Sequence, residues 1–547
     1  MSNNLFSKTT AFLKGMKRHP AASRFIKHNK RIFPRAPALQ QSGGPVVLIE
    51  FNSMHSAQIA YSYLANVLAA ESEAKIHAYL PRAHLSPMET LSFRLKKLLG
   101  FEAQGVYKSF GATDVFTITI SSVQKENAQR LFAELAEQVL DKKGLESLRI
   151  HGVWVGDLIY DTFLMRYRKP TIDISSVEFQ NFLLESVELF VFWEDYLDRH
   201  DVKAVNVSHC VYNLAMPLRL AVERNIPVFQ ANATHVYRLS KSNYFAYNDF
   251  FYFRERFAAL PEDVKKVGLA EAQRRIERRF AGEVGVDMAY STKSAYGAAR
   301  HAQLLRRSPR KKILIATHCF FDSPHSYGNN VFPDFYEWLD FLGQITEVTN
   351  YDWYIKTHPD VLPGTREIID GFIAKYPKIT LLPADASHLQ IIAEGIDFAL
   401  TVYGTIAFEY AALGIPVINN SLNNPHIAYN FNLHSKDVED YRRLLLSLDS
   451  LDFKIDRQEV YEYYFMKNMY NTQDIFFNNY DATIKELGGY SAQFTDAIYE
   501  KWLAEWSLEK HHSIIAALQS FVRSGDFRMD YGHYGREFSV DSLGAQS

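Results

Sequence analysis

From residue 46 onward, short wholly apolar runs alternate with stretches whose apolar positions recur every three or four residues. VVLIEFN at 46–52 reads as a strand, and the spacing over 56–70 predicts a helix. The same alternation continues with a strand at 75–80, a helix at 88–99, a β-rich run at 114–121 and a helix at 123–139. It resumes with AVNVSH at 204–209, a helix at 214–224 and a strand at 227–232. A second series starts at Lys312, with strands at 313–317, 353–357, 379–382, 398–402 and 415–419. Helices are predicted between them at 334–345, 364–375, 388–393 and 405–413. Apolar strands without in–out alternation belong to parallel sheets covered on both faces. The predicted fold class is therefore α/β, with two Rossmann-like lobes facing a cleft, a frequent place for ligands.

The polar stretches set the boundaries. Residues 1–45 form a basic segment, 46–260 the first lobe and 261–310 an Arg-rich helical connector containing RRIERRF at 274–280. Residues 311–455 form the second lobe, and 456–547 a helical, aromatic C-terminal region with one long helical run over 491–523.

Charge changes the picture at one end only. The 547-residue chain has a formal net charge of −2, which argues against a dedicated nucleic-acid binder. Nine Lys/Arg precede the first acidic residue, Glu50, so the rest of the chain carries −11. Leu5, Thr9, Phe12, Leu13 and Met16 share a helical face, and Phe25, Ile26, Ile32 and Phe33 continue it among cations. Residues 1–35 thus read either as an amphipathic element on an anionic membrane surface, or as a solvated tail or helix docked on the acidic body. With two cysteines, no long apolar run and no signal-peptide pattern, the expected location is cytoplasmic, with a peripheral contact on the inner face of the membrane.

Candidate chemistry gathers at strand ends. In FALTVYGTIAFEYAALGIPVI (398–418) Glu409 is the single charged residue. Thr405 and Glu409 are four apart and share a helix face. Tyr403-Gly404-Thr405 at a helix start suits a phosphate, and Glu409 suits ribose hydroxyls; the alternative is a buried Glu409 paired with an Arg or Lys elsewhere. Lys356 and His358 stand where a strand runs into His-Pro, with Pro359 holding His358 extended. His318, Ser323 and Asn329 belong to a loop rich in turn formers after another strand. In the first lobe Asp157, His55 and His209 are candidates for a catalytic base, and sequence alone does not rank them. The chain lacks Walker, Gly-x-Gly-x-x-Gly, His-Glu-x-x-His and Gly-x-Ser-x-Gly motifs, and its 19 histidines form no dense ligand cluster, so no metal site is expected.

Three segments, HCFFDSPHSYGNNVFPDFYEWL (318–339), IKTHPD (355–360) and YGTIAFEYAALGIPVI (403–418), resemble bacterial surface and capsular polysaccharide glycosyltransferases of the two-Rossmann GT-B type. GVWVGDLIYDTFL (152–164) and SHCVYNLAMPLRLAVERNIPVF (208–229) are similar to their acceptor-side lobe. The resemblance implies a nucleotide-sugar donor held mainly by the second lobe, a glycan or lipid-linked glycan acceptor, no cofactor and no essential metal. It makes His358, Thr405 and Glu409 donor-site residues and Asp157 the leading base. Tyr403 departs from the basic or serine residue often found there, and NNSLNN (419–424) looks individual. Nucleotide-sugar epimerase, alditol-phosphate transferase and non-catalytic glycan- or nucleotide-binding subunit stay as alternatives on the same fold.

Overall fold

The structure is a computed structural model that describes residues 20–540 and 542, except 34–43, 83–85, 100–101, 137, 289–292, 298–300, 359–361 and 471–473. Two six-stranded sheets dominate it. The first contains β1 (Val46–Glu50), β2 (Lys75–Leu80), β3 (Ala112–Thr117), β6 (Val202–Val207), β7 (Val228–Ala231) and β8 (Val236–Leu239) in the order β3-β2-β1-β6-β7-β8. A separate hairpin, β4 (Arg149–Ile150) with β5 (Val153–Trp154), lies outside it. The second sheet contains β9 (Lys312–Ala316), β10 (Asp352–Lys356), β11 (Ile379–Leu381), β12 (Phe398–Thr401), β13 (Val417–Asn419) and β14 (Leu433–His434), in the order β11-β10-β9-β12-β13-β14. Both orders run outward from the first strand, then back past it, the doubly wound pattern with a switch point beside the first strand. The fold is therefore two Rossmann-like lobes. All pairings are parallel except β7 with β8 and the small hairpin.

Each sheet is buried on both faces, which explains its uninterrupted apolar strands. One face of the first sheet packs on the His55–Glu71 helix, and the other on the Gly156–Tyr167, Val177–Arg199 and Met216–Glu223 helices. The Phe335–Val348 and Thr365–Lys375 helices cover one face of the second sheet, and the His388–Ala393 and Ile406–Ala412 helices the other.

Several expectations change on contact with the structure. The expected helical connector is helical only over Glu262–Phe280; the described residues of 281–311 are irregular and lie along the second lobe. The long C-terminal run is two helices, Ala497–Glu505 and Leu508–Ser524, because the Ser507 side chain accepts from the Lys510 amide and starts a new helix. Both pack back onto the first lobe. The apolar face of Pro20–Ile32 is covered by that same region: Phe25 stacks on Tyr499 at 4.4 Å and meets Trp502 at 5.7 Å. For these residues the docked reading holds, and the membrane-facing one does not. The apolar positions Leu5 to Met16 lie outside the described residues. Among the described residues no helix is long and apolar enough to cross a membrane.

The lobes meet through polar contacts, some of them buried. His325, fully buried, places Nδ1 2.6 Å from Asp161 and Nε2 3.0 Å from Glu146. Burial works against a charge on this ring, but the two carboxylates outweigh it and raise the pKa well above the usual histidine value. Tyr160 and Thr171 both donate to Asp334 at 2.6 Å, and Tyr212 donates to Asp322 at 2.7 Å.

Candidate functional site

A cavity of about 380 Å³ opens where β9, β10 and β12 end. Residues 316–318, 356–358, 401 and 404–405 supply its floor, and parts of 283–296 from the irregular strap form its outer wall. The carboxyl ends of the strands in an open α/β sheet are the general place for ligands.

His318 organises the floor. Its Nε2 lies 3.0 Å from the Thr401 hydroxyl, 3.2 Å from the Val402 amide and 3.4 Å from the Tyr403 amide. Backbone amides only donate, so Nε2 is the acceptor and the proton of the neutral ring sits on Nδ1. Burial, with His358 adding to it, pushes its pKa down to about 3. The ring is held flat against Phe335 at 4.6 Å. Thr401 Oγ1 also accepts from the Gly404 amide at 3.1 Å, and a Cβ at Gly404 would stand 2.8 Å from that oxygen. A side chain at 404 would thus crowd the Thr401 hydroxyl that anchors the turn. The helix starts at Ile406, later than its sequence suggested, with Thr405 as its N-cap residue.

Lys356 is buried at the end of β10 and donates to the Ala384 carbonyl at 3.0 Å. Burial pushes its pKa down to about 8, against the pull of Asp385. His388 Nδ1 lies 2.7 Å from the Tyr410 hydroxyl, and its backbone N–H donates to the Ala295 carbonyl of the strap at 3.1 Å. Burial lowers the His388 pKa well below normal, and Lys356 and His358 add to the effect.

Glu409 lines the cavity and is 6% exposed. One carboxylate oxygen pairs with Arg279, and the other accepts from the Tyr296 hydroxyl at 2.9 Å. Arg279 also donates to the Val286 carbonyl at 2.9 Å and lies 5.6 Å over Phe408. Glu409 therefore has the arginine partner of the alternative reading, and both its partners line the same cavity.

Of the residues expected on the donor side, His318, Lys356, His358, Gly404, Thr405 and Glu409 line one cavity. Ser323, Asn329 and Tyr403 do not. The Ser323 hydroxyl pairs with Ser326 at 2.6 Å, and Tyr403 donates to the Ser323 carbonyl at 3.0 Å, so these two brace the wall behind His318. Asn329 is exposed away from the cavity lining. Pro359 and Asp360 lie outside the described residues.

The expected bases separate more sharply. Asp157 is buried in an ion pair with Arg219 at 2.5 Å, and Arg219 is enclosed by Trp154 and Tyr244, each 4.6 Å away. A carboxylate so enclosed does not reach a hydroxyl in the cleft, which corrects its assignment as leading base. His55 stacks on Tyr499 at 4.8 Å and lies 3.3 Å from Asp496, under the C-terminal helices, and is corrected in the same way. His209 is the most exposed of the three, at the end of β6, within the field of Asp322 from the cavity rim. Desolvation by its neighbours lowers its pKa, with Asp322 opposing.

Asp322, Arg279, Tyr296, Thr365 and His388 also line the cavity and escaped sequence reasoning. One of them had a signal: a lone carboxylate in an apolar unit demands a cation, and RRIERRF was a reserve of them. Among the described residues no group of three His, Cys, Asp or Glu side chains is placed to hold a metal.

No protein-family model matches the chain, and no curated protein matches it. Solved structures do. The UDP-GlcNAc 2-epimerase of Methanocaldococcus jannaschii, in complex with UDP-GlcNAc and UDP, is 11% identical over 76% of this chain and 97% of its own, with a TM-score of 0.25. Anabaena Alr3699/HepE in complex with UDP is 10% identical over 84% and 99%, at 0.25. Thermosulfurimonas dismutans KpsC, a beta Kdo 2,7 transferase, is 15% identical over 55% and 85%, at 0.29.

Proposed function

We propose that the protein is a glycosyltransferase that moves a sugar from a nucleotide-sugar donor to a hydroxyl of a bacterial surface glycan, such as capsule or lipopolysaccharide, without a metal. The observation that carries this reading is the cavity at the ends of β9, β10 and β12. It combines a buried lysine, the imidazoles of His318 and His388, the Gly404-Thr405 turn and a carboxylate one helical turn further on.

In this reading Thr405, His318 and Lys356 hold the donor phosphates, and charge growing on the leaving phosphate meets fixed donors in a half-closed site. Glu409 takes the ribose hydroxyls in place of the Tyr296 hydroxyl, with Arg279 keeping its second oxygen in position. His209 takes the proton of the acceptor hydroxyl as the new bond to the sugar forms and the sugar–phosphate bond breaks. Residues 46–260 would then be the acceptor lobe and 311–455 the donor lobe. A contact with an anionic membrane rests on residues 1–19, because the apolar face of Pro20–Ile32 is already covered.

A thermal-shift screen of nucleotides tests donor binding first, since a ligand that binds only the folded state raises its stability. Mass spectrometry of reactions with the stabilising sugar nucleotide and candidate glycans then identifies the product. A glycosylated acceptor formed equally well in EDTA supports the reading. An epimerised free donor or a polymer-linked alditol phosphate replaces it with one of those reactions, and affinity without turnover makes the chain a binding subunit.

A further inference from the structure

The Pro87–Leu99 helix of the first lobe turns an apolar row to solvent. Met88, Leu91, Leu95 and Leu98 are 62%, 58%, 38% and 79% exposed. At about 3.6 residues per turn the four fall within roughly 80° of one another. Phe93, on the far side of the helix, packs into the lobe against Phe51 at 6.4 Å, so the helix is docked with its outer face bare. A single exposed leucine calls for no explanation; four apolar side chains in register on one helix do.

Charge decides what covers the row. By the same spacing Arg94 borders one edge of it, and Ser92 and Lys96 the other. Arg94 is exposed and Lys96 half-buried. Residues 82–114 hold five Lys/Arg against three acidic residues, Glu89, Glu102 and Asp114. Glu89 pairs with Arg82 at 2.9 Å and accepts from the Ser86 amide and hydroxyl, and Asp114 pairs with Lys97 at 2.8 Å. The Glu102–Ser109 helix carries both this helix and Pro20–Ile32. Pro20–Ile32 turns Arg24, Lys27, Lys30 and Arg31 to solvent, with Arg24 paired to Glu500.

The chain itself offers no matching cover. Residues 1–19 carry Lys8, Lys14, Lys17 and Arg18 and no acidic residue, and a second copy brings the same cations. An apolar row edged by cations matches a surface that is apolar inside and anionic at its face, the make-up of an anionic bilayer.

We propose that the Pro87–Leu99 helix is a membrane-contact element: Met88, Leu91, Leu95 and Leu98 enter the acyl boundary of an anionic bilayer, and Arg94 and Lys96 meet its headgroups. This contact belongs to the first lobe and is separate from residues 1–19. It goes beyond the reading of the cavity, and its test needs no nucleotide.

The test is co-sedimentation of the full-length protein with vesicles of equimolar phosphatidylglycerol and phosphatidylcholine, and with phosphatidylcholine alone. Leu91→Gln/Leu98→Gln removes apolar area from exposed positions, so its melting temperature should match that of the native protein. The expected result is binding to the anionic vesicles only, weakened about tenfold or more in the double variant. Leu98→Trp should show a blue shift of emission with anionic vesicles that the native protein lacks. Equal binding by the native protein and the double variant hands the contact to residues 1–19 and overturns the proposal. Binding to neither vesicle, or equally to both, overturns it too. A native dimer that the double variant disperses, with no vesicle binding, replaces the bilayer with a second copy. If the double variant melts early, the tryptophan decides, and an unshifted spectrum overturns the proposal.

Discussion

The two lobes share one strand order and differ in what stands at the end of the first strand. In the first lobe Glu50 closes β1 and accepts from the Ser208 amide at 2.9 Å and from the Ser208 hydroxyl, just past β6. In the second lobe His318 follows β9 and accepts from the Val402 and Tyr403 amides, just past β12. The two side chains do the same topological task. One is a carboxylate, sealed among Tyr61, Tyr79 and Tyr107. The other is a neutral imidazole at the floor of a cavity. A carboxylate at this crossing takes the amides and adds negative charge, which repels phosphate. An imidazole takes the same amides and keeps a donor proton. Identical topology thus carries a buried carboxylate in one lobe and a cavity-lining imidazole in the other at the same crossing.

The contrast can be broken in four places. The largest effect is expected from Asp157→Ala, which strands Arg219 in its aromatic enclosure. Loss of one partner of a buried pair costs about 3–5 kcal/mol, seen as a lower melting temperature. Nucleotide affinity of the folded fraction should not change, and a selective loss of turnover with full stability would restore Asp157 as base.

Next, His318→Glu should give the second lobe the first lobe's carboxylate. Nucleotide affinity should fall at least 100-fold, about 2.7 kcal/mol, by calorimetry, while His318→Gln stays close to the native protein. If the glutamate variant binds as tightly as the native protein, the comparison is wrong.

Glu50 gives a pH effect. Burial, opposed by the Ser208 and Tyr79 hydrogen bonds, pushes its pKa up to about 7 from an ordinary 4.5. The folded state therefore holds the extra proton between those values. The stability it contributes is complete below pH 4.5 and lost as the pH rises through 7. Denaturation curves at pH 8 should show Glu50→Gln more stable than the native protein by on the order of 2–3 kcal/mol, with the difference vanishing near pH 4.

The smallest effect belongs to Glu409→Ala. It should weaken binding of a ribonucleotide about tenfold, about 1.4 kcal/mol, and of its 2′,3′-dideoxy analogue hardly at all. Equal losses for both would move Glu409 from the ribose to a purely structural pairing with Arg279.

The alternation of apolar runs and helical spacing made the two lobes legible, because parallel strands buried on both faces cannot hide their composition. Glu409, Gly404 and Lys356 were legible for a related reason: each is a polar or small residue whose presence in an apolar strand–helix unit calls for an explanation. Arg279 and Tyr296 were not, because the pairing joins positions more than a hundred residues apart and the strap between them has no periodicity. Asp157 misled because a carboxylate beside a turn reads alike whether it faces a cleft or an arginine cage. The β8 strand was missed because its antiparallel partner, β7, was set by tertiary packing rather than by its own four residues.

The Ala497–Glu505 and Leu508–Ser524 helices complete the core that the His55–Glu71 helix begins. A ribosome adding about 5–20 residues per second needs on the order of 20–90 s to get from one to the other. Throughout that interval the second sheet, contiguous in sequence, can finish while the first stands half covered. The newborn chain therefore has a receptive lobe before it has a finished one, and its most aggregation-prone surface is also the oldest part of the polypeptide.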